Sequence, residues 1–255
     1  MDSTKRFGSR VSYYTKFRPR YPEAVYDFMR SQLGLNANST IADVGSGTGI
    51  SAEPFLKMGC KVFCIEPNAE MRTAAETALS VYPNFASING RAEETGLSKQ
   101  SIDFVVAGQA FHWFDPVAAR TEFLRILKPG GWIVLLWNDR RPGSSFANAY
   151  ENLLKMHAVD YDVVDHRRIT NDMIAEFFGT RDFGFRMFDN RQILDLESLK
   201  GRVMSCSYMP EPDSPGFDKM TTALSDLFQR FQENGTITME YNTLLYYGIP
   251  STQRR

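Results

Sequence analysis

The stretch Ile41-Ala42-Asp43-Val44-Gly45-Ser46-Gly47-Thr48-Gly49 is an apolar run with an acid in it, followed by three alternating glycines and then a helical segment. Glycines at such a point permit left-handed backbone and close approach of a ligand, and the free N–H groups of the following helix start can receive a negative group. A nucleotide-type ligand is implied. A tight turn without ligand is the plain alternative, and it suits one glycine better than three in alternation. The next apolar run ends in Glu66, about twenty residues past Gly45, where a carboxylate can accept hydrogen bonds from both ribose hydroxyls. Otherwise an acid in that position is solvated or caps the following helix. The dinucleotide fingerprint wants a third glycine three positions after the second, and Ile50 stands there, so NAD is disfavoured.

A later run, Ile102-Asp103-Phe104-Val105-Val106, leads into Ala107-Gly108-Gln109-Ala110-Phe111-His112-Trp113-Phe114-Asp115. The carboxyl end of such a strand lies where open α/β sheets bind ligands, so Gln109 and His112 should border the reacting atoms. His112 is the candidate catalytic residue. A hydroxyl or amine substrate would need it as a general base, whereas for other chemistry it is a donor that holds the loop or the substrate.

The G-x-G-x-G turn preceded by an acid resembles motif I of the class I S-adenosylmethionine-dependent methyltransferases. The run Gln109–Asp115, Leu127-Lys128-Pro129-Gly130-Gly131, Tyr14–Pro22 and Ser205–Pro210 are similar to the small-molecule branch that includes trans-aconitate methyltransferase. This resemblance implies S-adenosylmethionine as cofactor, with Asp43 facing its ammonium group, Gly45, Gly47 and Gly49 around its methionine part and Glu66 on its ribose. Gly90-Arg91-Ala92-Glu93 resembles the loop that reads the adenine edge, so Ala92 and Glu93 join the cofactor set with Gln109. Met71 packs near adenine or simply in the core. For the acceptor, the resemblance favours Tyr14 over Tyr13 and adds Arg18, whose phenol and guanidinium neighbours could close over an anion. Trp113, Trp137 and Tyr208 either line the acceptor pocket or belong to the core. The implied reaction is methyl transfer to a small molecule, with a carboxylate-bearing metabolite preferred because a carboxylate is already anionic at neutral pH. The alternatives are an O- or N-methyltransferase of a natural product or quinone precursor, and a non-catalytic cofactor-binding protein.

These residues need a scaffold. From residue 40, short apolar runs (Thr40–Val44, Lys61–Glu66, Phe85–Asn89, Ile102–Val106, Trp132–Trp137) alternate with helical spacing at Ala69–Val81 and Pro116–Leu127. That alternation predicts a Rossmann-like α/β fold, a seven-stranded, mostly parallel sheet with helices on both faces and a helical cap. Lys128–Gly131 reads as a turn, and Pro22 as the first residue of a helix closed by Gly34. Beyond Trp137 the expected helices are Phe146–Val159, Asn171–Phe178, Leu199–Cys206 and Phe217–Asn234, with two closing strands at Phe185–Leu196 and Thr236–Tyr247. The expected organisation is one domain over 1–255, with a core at approximately 36–138, an N-terminal cap over 1–35, and a C-terminal cap with closing strands over 139–255.

A net charge of -1 gives no overall attraction for a nucleic-acid backbone or an anionic membrane, so neither partner is expected. No run is long enough to span a bilayer, and the start lacks a secretory pattern, so a cytoplasmic location is expected. The basic first twenty residues read as the edge of a cap rather than as a transit peptide. Cys60 and Cys64 share one face of a strand about 13 Å apart, too far for a disulfide or a shared metal. The histidines also lack ligand spacing, and no metal site is expected. Oligomeric state is not encoded in any of these features.

Overall fold

A computed structural model describes residues 10–159 and 169–251. Its sheet is built from β1 (Thr40–Val44), β2 (Lys61–Ile65), β3 (Phe85–Ile88), β4 (Ile102–Gly108), β5 (Leu127–Arg140), β6 (Gly184–Leu194) and β7 (Ile237–Gly248). The spatial order is β3-β2-β1-β4-β5-β7-β6, with the first five strands parallel and β7 antiparallel to both of its neighbours. Strand order reverses between β1 and β4, which opens a crevice at their carboxyl ends. This is the expected seven-stranded, Rossmann-like sheet.

Helices cover both faces. In β1, Ile41 points into an apolar cluster with Val25, Met29 and Phe55, while Ala42 and Val44 point into the opposite one with Phe123 and Phe177. The first cluster is closed by α2 (Glu23–Leu33) and α3 (Ala52–Lys57), the second by α5 (Pro116–Ile126) and α7 (Asn171–Phe178). Between them, α4 (Ala69–Leu79) is capped by Asn68, whose side chain accepts from the Met71 N–H. A third cluster joins α6 (Ser145–His157), α8 (Leu196–Met204) and α9 (Phe217–Phe231) to the far ends of β6 and β7, and α1 (Val11–Phe17) packs on α8. Among the described residues no helix is long and apolar enough to cross a membrane.

Several boundaries differ from the sequence reading for local reasons. Pro22 is the N-cap of α2, in extended backbone, so the helix starts one residue later. α8 starts at Leu196 because the Asp195 carboxylate accepts from the Ser198 N–H, which moves Asp195 and Leu196 from the end of the expected strand into the helix cap and first turn. α9 stops at Phe231, before a turn in which Asn234 and Gly235 both take positive φ. In β5 the register jumps from Ile102↔Leu127 to Phe104↔Trp132, so Lys128–Gly131 bulges out of a strand that then continues to Arg140. Cys60 precedes β2 rather than lying in it; it, Cys64 and Cys206 are buried free thiols.

Candidate functional site

The glycine turn leaves β1 and folds over the end of β2, with Gly45 and Ser46 N–H groups donating to the Ile65 carbonyl at 2.8 and 3.2 Å. All three glycines take positive φ, and a Cβ on Gly45 would come within 2.6 Å of Ala110. The turn and β2 are tied together by Glu66. Its Oε2 accepts from the Gly47 N–H at 2.9 Å and its Oε1 from the Asn68 N–H at 2.8 Å. Burial raises its pKa, and these two N–H groups pull it back.

Above this turn lies a cavity of about 520 Å³. Gly45, Gly47, Glu66, Met71, Ala92, Glu93 and Gln109 all reach its wall, as does Tyr14 from α1. Glu93 also accepts from the Asp115 N–H at 2.8 Å, which joins the loop after β3 to the N-cap of α5. Gln109 sits at φ 56, and its side-chain amide donates to the Asn138 carbonyl at 3.0 Å.

Two members of the expected cofactor set stand outside this wall. Gly49 is turned toward α4, where a Cβ would lie 2.5 Å from Leu79, so the glycine serves helix packing. Asp43 is fully buried behind the turn. Its Oδ2 accepts from the Ser51 hydroxyl at 2.7 Å, and its Oδ1 has no partner among the described residues. Burial, assisted by nearby Glu66 and opposed by the Ser51 hydroxyl, pushes its carboxyl up to about 7.

A second, inner cavity of about 120 Å³ shares Tyr14, Gly45, Gly108, Gln109 and Trp113 with the first. Arg18, His112, Arg140, Arg202 and Tyr208 close it. The Arg18 guanidinium lies 4.7 Å over the Tyr14 ring, and one of its nitrogens donates to the Ser205 carbonyl at 2.8 Å. Arg140 is held by Glu151 at 2.8 Å. His112 lies in a single 3₁₀ turn, Phe111–Trp113, with its ring 4.8 Å from that of Trp113. Tyr13 stacks on Phe17 and leaves the site to Tyr14.

Trp137 does not join the acceptor group. It is 2 % exposed and wedged edge-on between Phe111 and Tyr246, because its position on β5 points into the core rather than toward the crevice. The sequence reading also left out Tyr21, Asn138, Arg140 and Arg202, all in the inner wall. Extending β5 past Trp137 would have put Asn138 and Arg140 near the carboxyl end of a central strand; Arg202 has no local signal, since only the chain's return on α8 brings it there. A separate cavity of about 760 Å³ lies between α6, α9 and the ends of β5 and β7, and contains none of the glycine-turn residues. Among the described residues no cluster of His, Cys, Asp or Glu could hold a metal ion.

Residues 42–135 match the family model described as a methyltransferase domain. An uncharacterized methyltransferase of Mycobacterium bovis is 36% identical over 139 residues, 54% of this chain and 54% of that protein. An uncharacterized methyltransferase-like protein of Schizosaccharomyces pombe is 25% identical over 249 residues, 95% of this chain and 94% of its own. The match thus spans about half the length of the mycobacterial relative. The structure of a protein described provisionally as a type II methyltransferase, from Anaeromyxobacter dehalogenans, superposes with a TM-score of 0.63 at 18% identity, covering 93% of this chain and 100% of that one; it shows a shared fold. The seven-stranded architecture is thus a fold shared with proteins described as methyltransferases, and residues 42–135 are similar to a methyltransferase domain.

Proposed function

We propose that this chain transfers the methyl group of S-adenosylmethionine to a small-molecule acceptor that presents a carboxylate, as a member of the branch that includes trans-aconitate methyltransferase. One observation carries the reading: a glycine-cradled cavity with a carboxylate on its wall adjoins a smaller one bordered by three guanidinium groups, of which Glu151 neutralises only that of Arg140. The residues fit the cofactor. A Cβ on Gly45 would strike Ala110, so this part of the turn is kept bare, and the Asp43 Oδ1 is a buried acceptor still without a donor. Glu66 would hold the ribose, Met71, Ala92 and Glu93 the adenine, and the turn with Asp43 behind it the methionine part.

When bound, S-adenosylmethionine supplies an activated methyl group: an acceptor oxygen lone pair forms the O–CH₃ bond while the S–CH₃ bond breaks and leaves its electrons on sulfur. The protein then has to align the acceptor and keep water away. Arg18 and Tyr14 attract and cover the anion; Trp113 walls both cavities, and Gln109 is fixed between them by Asn138. His112 donates to the acceptor and removes no proton, because a carboxylate arrives ionised.

Incubation with methyl-labelled cofactor and a panel of small carboxylates, phenols and amines tests this. Labelled, base-labile methyl esters are expected. Labelled ethers or methylamines would replace the acceptor class, and cofactor binding without turnover on any member would leave a binding protein.

A further inference from the structure

Arg202 differs from the other deeply buried arginine, Arg10. Arg10 spends its donors on the carbonyls of Met204, Cys206 and Met209 and lies 3.5 Å from Glu211. Arg202 is 3 % exposed, borders the inner cavity, and makes no ion pair among the described residues. Its Nε donates to the Tyr241 hydroxyl at 3.3 Å, and its Nη1 to Ser205 Oγ at 3.4 Å and Cys206 Sγ at 3.1 Å. Tyr241 is itself fixed by donating to Gln192 Oε1 at 2.8 Å. The guanidinium is therefore held in place by partners that are all weak or neutral, while its Nη2 makes no hydrogen bond among the described residues. A buried charge with such partners is poorly compensated, and an arriving anion would complete it.

Arg18 reaches the same point from the opposite end of the chain. It donates to the Ser205 carbonyl, while Arg202 donates to the Ser205 hydroxyl, and the Arg18 Nε is buried without a partner among the described residues. The groups around this point are the Tyr150, Tyr208 and Tyr241 phenols, the Cys206 thiol, and Arg140 with its own acid. Although burial opposes it, Arg202 and Arg18 pull the pKa of the Cys206 thiol down, a sign of how positive this point is.

We infer that Arg202 is the specificity-determining anchor of the acceptor site, holding a carboxylate of the acceptor through the donor that the fold leaves open, with Arg18 beside it. This rests on the reading of the chain as a methyltransferase for carboxylates. A merely structural role, joining α8 to β7, would leave anion recognition intact when the charge is removed. The shape of the side chain is preserved best by Arg202→Met and its charge by Arg202→Lys.

The test uses the full chain saturated with S-adenosylhomocysteine, with succinate as probe and neutral succinamide as control. Thermal stabilisation by succinate but not succinamide is expected in the parent, lost in Arg202→Met and partly kept in Arg202→Lys. With any carboxylate that turns over, KM for the acceptor should rise about tenfold to a hundredfold in Arg202→Met, the worth of a hydrogen bond to a charged group, with cofactor KM unchanged. Stabilisation by S-adenosylhomocysteine alone reports that each variant is folded; its absence in the parent would sink the methyltransferase reading itself. An undiminished succinate response in Arg202→Met, or none in the parent that binds the cofactor product, overturns the anchor.

Discussion

Asp43 carries a pH dependence that the free and the loaded protein should show with opposite consequences. Its carboxyl is held near 7 by burial, against about 3.9 in an unfolded chain. The folded form therefore keeps a proton that the unfolded chain has released. Its contribution to stability is present below about pH 4 and is lost as pH rises through 7. Asp43→Asn should accordingly stabilise the cofactor-free protein at pH 8 and change it little at pH 4, measured by urea unfolding. A cofactor ammonium near Oδ1 favours the ionised form, so binding at pH 6 should expel up to about one proton, visible by calorimetry in buffers of different ionisation enthalpy. Binding at pH 6 with no proton released would place the ammonium elsewhere. Glu66 is a simpler case. Glu66→Ala should weaken binding of S-adenosylhomocysteine by roughly 1.5–3 kcal/mol and Glu66→Gln by less, since the amide oxygen can still accept one N–H. For His112, kcat at saturating carboxylate should show no ionisation near the reference value of about 6.5, and His112→Ala should keep a measurable rate. A steep profile that His112→Ala abolishes, with cofactor affinity intact, would make it a general base and point to a hydroxyl or amine acceptor.

At the scale of elements, what was legible in the sequence depended on how local the determining interaction is. α7 has the expected limits, Asn171–Phe178, because both ends are written in single residues: Thr170 accepts from the Met173 N–H, and Gly179 takes left-handed backbone. β1 was equally clear, a short apolar run buried along nearly its whole length in a parallel sheet. The outer cavity was legible for the same reason, since the glycine turn and Glu66 lie on two adjacent β–α connections. The side-chain direction of Trp137 and the packing of Gly49 against α4 were not, because they depend on which face of a strand or turn the neighbouring helix covers. Nor was the inner wall, whose arginines come from α8, β5 and the segment after α1. Asn138 shows how these pieces are joined. Its side-chain amide donates to the carbonyls of Pro19 and Arg20 at 3.4 and 3.3 Å, and its Oδ1 accepts from Asn190 and Thr243. Asn138→Ala should cost on the order of 1–3 kcal/mol in denaturant unfolding, because it leaves the buried Thr243 hydroxyl unpaired. Hydrogen exchange should also quicken over 18–21. Unchanged exchange there would show that α1 and α2 hold this linker without Asn138.

For the molecule as a whole, the N-terminal helix and the segment from Met204 to Met209 meet over the site. Arg10 and Arg18 together donate to four carbonyls between Met204 and Met209, and Tyr14, one turn before Arg18, stands in the wall of both cavities. A ligand that fills the outer cavity therefore contacts an element whose own attachments lie in the C-terminal half. Binding to the folded state alone stabilises it by about 2.7 kcal/mol at a hundredfold excess over Kd. For a chain of this size that corresponds to a rise in Tm of roughly 5–10 °C. S-adenosylhomocysteine should produce this rise. NAD should produce none, because Ile50 replaces the glycine that a dinucleotide pyrophosphate turn requires. An equal rise with NAD would overturn the cofactor assignment. The same titration followed by hydrogen exchange separates two ways the stabilisation can be distributed. If the cavity wall acts as one unit, protection appears at the glycine turn and also over 10–21 and 202–209, since Tyr14 lies on the helix that Arg10 and Arg18 tie to the 204–209 segment. Protection confined to 43–115 would mean that the cap opens independently of the cofactor, and acceptor entry would then need no release of the cofactor product.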